Sequence, residues 1–374
     1  MYLSEIELRN FRNYENRQVE FSPGINVFIG ENAQGKTNLL EAIYVLAMTR
    51  SHRTANDREL INWQAKEAMV KGTVIKQTGR VPLEVLLGTR GKRVKVNHLF
   101  QSRLSTYIGN LNVVLFAPED VALVKGAPQE RRQFMDTEFS QMSSRYLYAI
   151  SQFRGLLKQR NEYLKQLKYG SQVDQVLLEV LSDQLAESGA AVMAMRFKLL
   201  KRLETWSAQL HEHISQQKEV LKLKYISQVM IDEKTAENEI AEQLQKLYHE
   251  HQSQEIKLGT TLYGPQRDDI RFLVNEQDVH RFGSQGQQRT TALAVKLAEI
   301  DLMNEQTGEY PLLLLDDVLS ELDDDRQTHL LTAIQDKVQT FLTTTSLSGV
   351  ARQLINRPTI FQIAHGTIDK EDKK

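Results

Sequence analysis

The sequence predicts an α/β protein in which a mixed sheet flanked by helices, with an antiparallel β subdomain, carries a separate helical lobe. Three observations predict it. A short apolar run, Ile25 to Ile29, meets a glycine-bracketed loop, Gly30 to Thr37, and then the Gly- and Pro-free stretch Asn38 to Met48, which reads as strand, tight loop and helix. Four consecutive leucines, Leu312 to Leu315, end in Asp316 and Asp317, the pattern of a strand buried on both faces. Between them, over residues 129–254, Pro and Gly nearly vanish and Leu, Gln, Glu, Lys and Arg dominate, the composition of helices. The expected division is one lobe from 1–128 and 255–374 and an inserted helical arm from 129–254.

At 374 residues the chain is longer than a single core usually grows. Apolar residues make up 41% and charged residues 25%, as in a soluble globular protein. The sequence has no cysteine, which excludes disulfides and cysteine-ligated zinc and suits a reducing cytoplasm. Met1 to Glu7 carries acids where a secretory signal needs a basic start. No apolar stretch reaches the roughly 18 residues of a membrane span, so no membrane partner is expected. A net charge of -1 excludes a globally basic nucleic-acid coat, and any DNA contact has to come from local patches.

In chain order, Leu3 to Leu8 alternates apolar and polar residues, and Gln18 to Phe21 is a second short run. With the strand before the loop they predict an N-terminal β meander, turning at Arg9 to Tyr14. The loop Gly30-Glu31-Asn32-Ala33-Gln34-Gly35-Lys36-Thr37 fills every fixed position of the phosphate-binding pattern G-x-x-x-x-G-K-[ST]. Its glycines let backbone N–H groups turn onto phosphate oxygens, and the N-terminus of the following helix, at Asn38, adds its dipole. Lys36 would neutralise the β- and γ-phosphates of ATP, and the Thr37 hydroxyl would ligate the bridging magnesium ion.

Met69 to Ile75, Leu83 to Leu87 and Val94 to Asn97 read as antiparallel strands. The last hairpin gathers Arg90, Lys92, Arg93, Lys95, His98 and Arg103 with no acid between Gly88 and Gly109. It suits either a charged sheet edge or a contact to the phosphate backbone of DNA. On the arm, Leu177, Leu178, Leu181 and Leu185 recur at helical steps, and Gly189 favours a compact helical arm over a coiled coil. Two basic clusters lie there, Arg154, Lys158, Arg160, Lys165 and Lys168, then Arg196, Lys198, Lys201 and Arg202. They read as solvated faces or as further DNA contacts, Arg154 and Lys158 foremost. After Thr260 to Asp269 the strand Ile270 to Val274 is expected to rejoin the sheet of the main lobe.

Phe282 to Arg289 opens a helix with Ser284, Gly286 and Gln287 at its start, a second place where amides and dipole favour an anion. The strand ending in Asp316 and Asp317 puts two carboxylates where ligand sites of parallel sheets lie. Asp316 would orient magnesium and Asp317 would act as general base on the attacking water. Gln339 to Ser346 reads as a strand ending in hydroxyls, and the tail Asp369 to Lys374 as frayed.

This order resembles the ATPase heads of the ABC and SMC group, and within it the RecF family of bacterial recombination and replication-repair proteins. The likeness rests on Leu8 to Tyr14, the phosphate loop with Asn32 and Gln34, Ser51-His52-Arg53, Phe116 to Asp120, Pro128 to Arg132, and Gly264 to Asp269. It implies a head that dimerises around two ATP molecules. Ser284, Gly286 and Gln287 would then contact the γ-phosphate held by the partner subunit, Arg12 and Asn13 would lie near the base, and Asp323 at the dimer seam. It further implies DNA binding at gaps, recombinase loading with RecO and RecR, and a place in the SOS response. Asp317 stands where transporter ATPases have Glu, Thr343 to Ser346 replace their switch histidine, and Gly109 to Val121 lacks a glutamine for their Q-loop. The first two departures imply slow hydrolysis used as a switch. The rivals are a transport ATPase subunit and a small-molecule kinase.

Overall fold

The structure, a computed structural model, describes residues 1–89, 91–170, 174–347 and 349–371. The chain divides into two compact units, Met1–Asp120 with Leu293–Lys374, and Val121–Ala292. Strands β1 (Tyr2–Phe11), β2 (Tyr14–Glu20) and β3 (Ile25–Ile29) lead to helix α1 (Lys36–Met48), and β4 (Glu67–Lys76), β5 (Gly79–Gly88), β6 (Gly91–Val96), β7 (Leu99–Phe100) and β8 (Val113–Phe116) follow. Next come helices α2 (Ala122–Lys125), α3 (Pro128–Met142), α4 (Ser144–Lys168) and α5 (Gln175–Ile214), strand β9 (Leu221–Ile226), and helices α6 (Glu237–Glu250) and α7 (Gln252–Leu258). Then run β10 (Asp269–Val274), β11 (Gln277–Asp278), α8 (Val279–Phe282) and α9 (Gln285–Thr307). The chain ends in β12 (Leu312–Asp316), α10 (Asp324–Ile334), β13 (Thr340–Thr344), α11 (Gly349–Leu354), β14 (Thr359–Ala364) and β15 (Thr367–Lys370).

The first unit holds two six-stranded sheets. One is antiparallel, in the order β2-β1-β4-β5-β6-β7. The other is mixed, in the order β15-β14-β3-β13-β12-β8, with β15 antiparallel and the rest parallel. The expected meander is therefore corrected: β1 and β2 pair, but β3 leaves them and lies between β14 and β13. Burial explains the parting. On β1 the buried Leu3, Ile6, Leu8 and Phe11 are interspersed with partly exposed residues, whereas Ile25 to Phe28 of β3 are all buried, and a strand covered on both faces belongs inside a parallel sheet. The turn is also tighter than expected, since Phe11 pairs with Tyr14 and only Arg12 and Asn13 lie between. Phe21 meets the Phe341 ring edge-on at 4.8 Å in the core of this unit.

The second unit combines α3 to α7 with a three-stranded sheet, β11-β10-β9. Here the sequence expectation is corrected twice. The strand at Ile270 to Val274 pairs with β9, register Ile270 to Tyr225, and not with the sheets of the first unit. Strand β9 itself, Leu221 to Ile226, lay inside the stretch read as wholly helical. Its pairing with β10 carries the unit beyond residue 254, to Ala292.

Two arginines of the supposed basic faces are interior. Arg160 donates to Glu255 at 2.7 Å and Thr261 at 2.9 Å, and Arg196 donates to Asp136 at 2.7 Å and the Pro265 carbonyl at 2.7 Å. Buried guanidinium groups need such partners on every side. Arg131 forms a two-pronged pair with Asp269, at 2.6 and 3.0 Å, and Arg132 donates to the Asp268 carbonyl. The stretches Pro128 to Arg132 and Gly264 to Asp269, far apart in sequence, thus form one ionic joint. The tail is ordered further than expected: Asp369 pairs with Gln362 in the β14–β15 ladder, and the Glu371 N–H donates to the Ile360 carbonyl.

Candidate nucleotide site

Register delivers the site. In the mixed sheet Asp316 pairs with Thr343, and Thr344 pairs with Ile29. The C-terminal ends of β12, β13 and β3 are therefore level, and the loop Gly30 to Thr37 opens at the edge where Asp316 and Asp317 emerge, the expected ligand edge of a parallel sheet. Gly35 caps α1 at φ 120°, a conformation that side chains resist.

Asp316 is the hub. Its Oδ1 accepts from the Thr37 hydroxyl at 2.9 Å and from the Thr343 hydroxyl at 2.8 Å, and Thr343 Oγ1 in turn accepts from the Asp317 N–H at 2.9 Å. Asp317 has φ 53° and an exposed side chain, a left-handed turn that aspartate tolerates better than most residues. Lys36 Nζ donates to the carbonyls of Gly30 at 2.5 Å and Glu31 at 2.9 Å. Burial lowers the pKa of its ammonium, while the Asp317 and Asp316 charges oppose that. Glu31, Asn32 and Ala33 form the exposed crest of the loop.

Behind the loop stands a polar brace. The Glu41 side chain is fully buried and takes both prongs of Arg12 at 2.8 Å and the Ser51 hydroxyl at 2.5 Å. Burial pushes the Glu41 carboxyl up, but the hydrogen bonds from Arg12 and Ser51 and the charges of Arg12 and Arg53 outweigh it and hold the group below its usual range. Arg12 also donates to the Glu59 carbonyl at 2.8 Å, so each of its three guanidinium nitrogens has a protein acceptor. Asn13 donates to the Gln34 carbonyl at 3.2 Å and accepts from Asn38 at 2.8 Å. His52 meets Tyr44 edge-on at 5.1 Å, and among the described residues neither ring nitrogen has a hydrogen-bond partner. Glu41 was not singled out in the sequence; Tyr14, whose hydroxyl donates to the Gly35 carbonyl at 2.9 Å, entered only as the end of the Leu8 to Tyr14 stretch, and Thr343 only as the first of the hydroxyl residues that replace the switch histidine.

Ser284, Gly286 and Gln287 belong to the second unit. Ser284 Oγ accepts from the Gln287 N–H at 3.2 Å and Gln287 Oε1 accepts from the Ser284 N–H at 2.9 Å, a reciprocal capping box at the start of α9. Gln287 also donates to Glu219 at 2.8 Å. Asp323 caps α10 through the Arg326 N–H.

The DNA candidates fare unequally. Arg90 lies outside the described residues. Lys92 is tied to Asp57 at 3.0 Å and Lys95 to Glu84 at 2.9 Å. Arg93 and Lys95 sit over the ring of Phe100, which is 58% exposed. Arg154 pairs with Asp136 at 2.8 Å, and exposed Lys158 lies 3.9 Å from Glu162.

The Thr37 hydroxyl and Asp316 carboxylate fit a hydrated divalent cation. Among the described residues no group of three or more His, Cys, Asp or Glu could hold a metal ion. None of the helices searched among those residues is long and apolar enough to cross a membrane.

The AAA ATPase domain family matches residues 1–344. The DNA replication and repair protein RecF of Limosilactobacillus fermentum is 70% identical over 372 residues, covering 100% of both chains, and that of Limosilactobacillus reuteri is 65% identical over 374 residues, again covering 100% of both. A solved structure of the recombination mediator protein RecF-ATP in the RecFOR pathway superposes with a TM-score of 0.92 at 35% identity, covering 99% of this chain and 98% of that one. An Smc head domain from Pyrococcus furiosus, at 17% identity and a TM-score of 0.56 over 99% of this chain and 96% of that one, shares the fold. With relatives this similar along its whole length, the chain belongs to the RecF family of DNA replication and repair proteins.

Proposed function

We propose that this protein is an ATP-dependent DNA-binding switch of recombinational repair and replication. Two subunits close on ATP, bind DNA at gaps and junctions, and promote recombinase loading with RecO and RecR in the SOS response. The observation that carries the reading is the Thr37–Asp316–Thr343 cluster beside Lys36. Lys36 exchanges its two loop carbonyls for the β- and γ-phosphates, which are stronger, charged partners. Gly30 to Asn38 cradle the phosphates, and Asn13 and Arg12 shape the base side of the pocket. Thr37 and Asp316 would hold a magnesium ion, which would supply charge neutralisation for the phosphates. Asp317 takes a proton from the attacking water. Aspartate is one methylene shorter than glutamate, so it reaches that water less well, which suits slow turnover and a switch rather than a motor.

Ser284, Gly286 and Gln287 complete the partner subunit's site. The capping box holds these residues at the N-terminal end of α9, where dipole and amides favour a triphosphate. Exposed Phe100 between Arg93 and Lys95, and Lys158 on the arm, are the DNA contacts best supported by their exposure, and their binding weakens as salt rises.

Sedimentation with and without ATP and a gapped duplex tests the reading. The parent shifts to a dimer with ATP and then binds the duplex; Lys36→Ala stays monomeric and binds ATP weakly. An unchanged calorimetric ATP titration for Lys36→Ala, or DNA binding indifferent to ATP, would sink the proposal.

A further inference from the structure

The phosphate loop is gripped from outside by the far end of the chain. β14 runs parallel to β3, so its C-terminal end arrives where the loop begins. There a two-residue turn, His365 and Gly366 at φ 47° and 74°, connects it to β15, the left-handed pair that matches strand twist in a tight hairpin. The His365 N–H donates to Gln34 Oε1 at 2.7 Å and the Gly366 N–H to the Gln34 carbonyl at 3.2 Å. Arg17 Nε holds the Gly366 carbonyl at 2.8 Å. The packing is close at both ends: a Cβ on Gly30 would lie 2.2 Å from the Ile363 carbonyl oxygen, and one on Gly366 2.8 Å from that of Asn13. Ile363 to Gly366 lie beyond residue 344, where the match to the ATPase domain family ends.

We propose that the β14–β15 turn is a positioning element of the nucleotide site, holding Gln34 and Asn13 so that the loop amides are aimed before ATP arrives. It rests on the reading of Gly30 to Thr37 as the ATP loop. A glycine-bracketed loop loses much backbone freedom when it wraps a triphosphate. Hydrogen bonds to a preformed turn remove part of that loss in advance. Because the order is needed equally by bound substrate and transition state, its loss raises KM and leaves kcat unchanged.

The test is calorimetric ATP affinity, KM, kcat and melting temperature of the full chain and three variants. Gln34→Leu removes the acceptor for His365. Gly366→Val forces a β-branched residue into a left-handed turn against Asn13. His365→Asn keeps the N–H and tolerates positive φ. Gln34→Leu and Gly366→Val each bind ATP about tenfold more weakly, as for loss of an ordinary hydrogen bond, with KM raised and kcat held; His365→Asn behaves as the parent. Gln34→Leu with parental affinity, or kcat falling at constant KM, overturns the proposal, and Gln34→Leu decides alone if Gly366→Val does not fold. A His365→Asn defect would assign the effect to the imidazole and overturn the backbone role. If the parent itself binds no ATP, the loop assignment falls first and this inference with it.

Discussion

Glu41 is the residue on which the loop's surroundings depend. Its side chain is fully buried and its charge is met by Arg12, whose own side chain is 19% exposed. Removing the carboxylate leaves a mostly buried guanidinium without its partner, which costs about 2 kcal/mol, below the usual loss for a buried pair because Arg12 reaches solvent. Since the folded-state pKa is held below the usual 4.5, this stabilisation is present above that value and is lost as pH falls through the lowered one. Glu41→Gln should therefore melt several degrees below the parent at neutral pH, with the gap shrinking in acid; a gap independent of pH would mean the pair carries no linked charge. Lys36 and Asp316 were legible in sequence because each stands within a local pattern. Glu41 was not, because its partner Arg12 lies 29 residues away and only the fold sets that distance.

Among the elements, α9 starts on a side-chain cap. Ser284 and Gln287 satisfy two amides of its first turn, and replacing such a cap by Ala costs about 1 kcal/mol. Ser284→Ala should lower the melting temperature and Ser284→Thr restore it; equal melting of all three would leave the capping box without energetic weight. Ser284→Arg separates stability from function: its subunit's own phosphate loop is intact, so monomeric ATP binding survives while ATP-dependent dimerisation is lost. Loss of ATP binding by that monomer would assign the helix start to its own subunit's pocket. Helices were legible from composition, and α3 to α7 lie where Pro and Gly are scarce. β9 was not, although Leu221, Leu223 and Tyr225 alternate with Lys222 and Lys224. Six residues of period two are easily lost inside a long run of helix-forming composition.

At the scale of the whole molecule, the proposed sandwich makes a prediction that a monomeric enzyme does not. A dimer of one Ser284→Arg and one Lys36→Ala subunit places both defects in one composite site and leaves the other whole. Mixed subunits should regain part of the ATP hydrolysis that neither variant shows alone, and additive, inactive mixtures would rule the shared site out. The sequence by itself determined the glycine-bracketed loop between strand and helix, the acids at the end of β12 and the presence of a helical stretch. Each is written within a few consecutive residues or in bulk composition, where local geometry and propensity act. The tertiary structure alone decided that β3 abandons β1 and β2 for the parallel sheet, that β10 belongs with β9, and that Arg160 and Arg196 are interior. It also decided that the β14–β15 hairpin grips the Gly30 to Thr37 loop. Strand partnership and burial are set by which faces the whole chain can cover at once, and no short stretch of sequence records that.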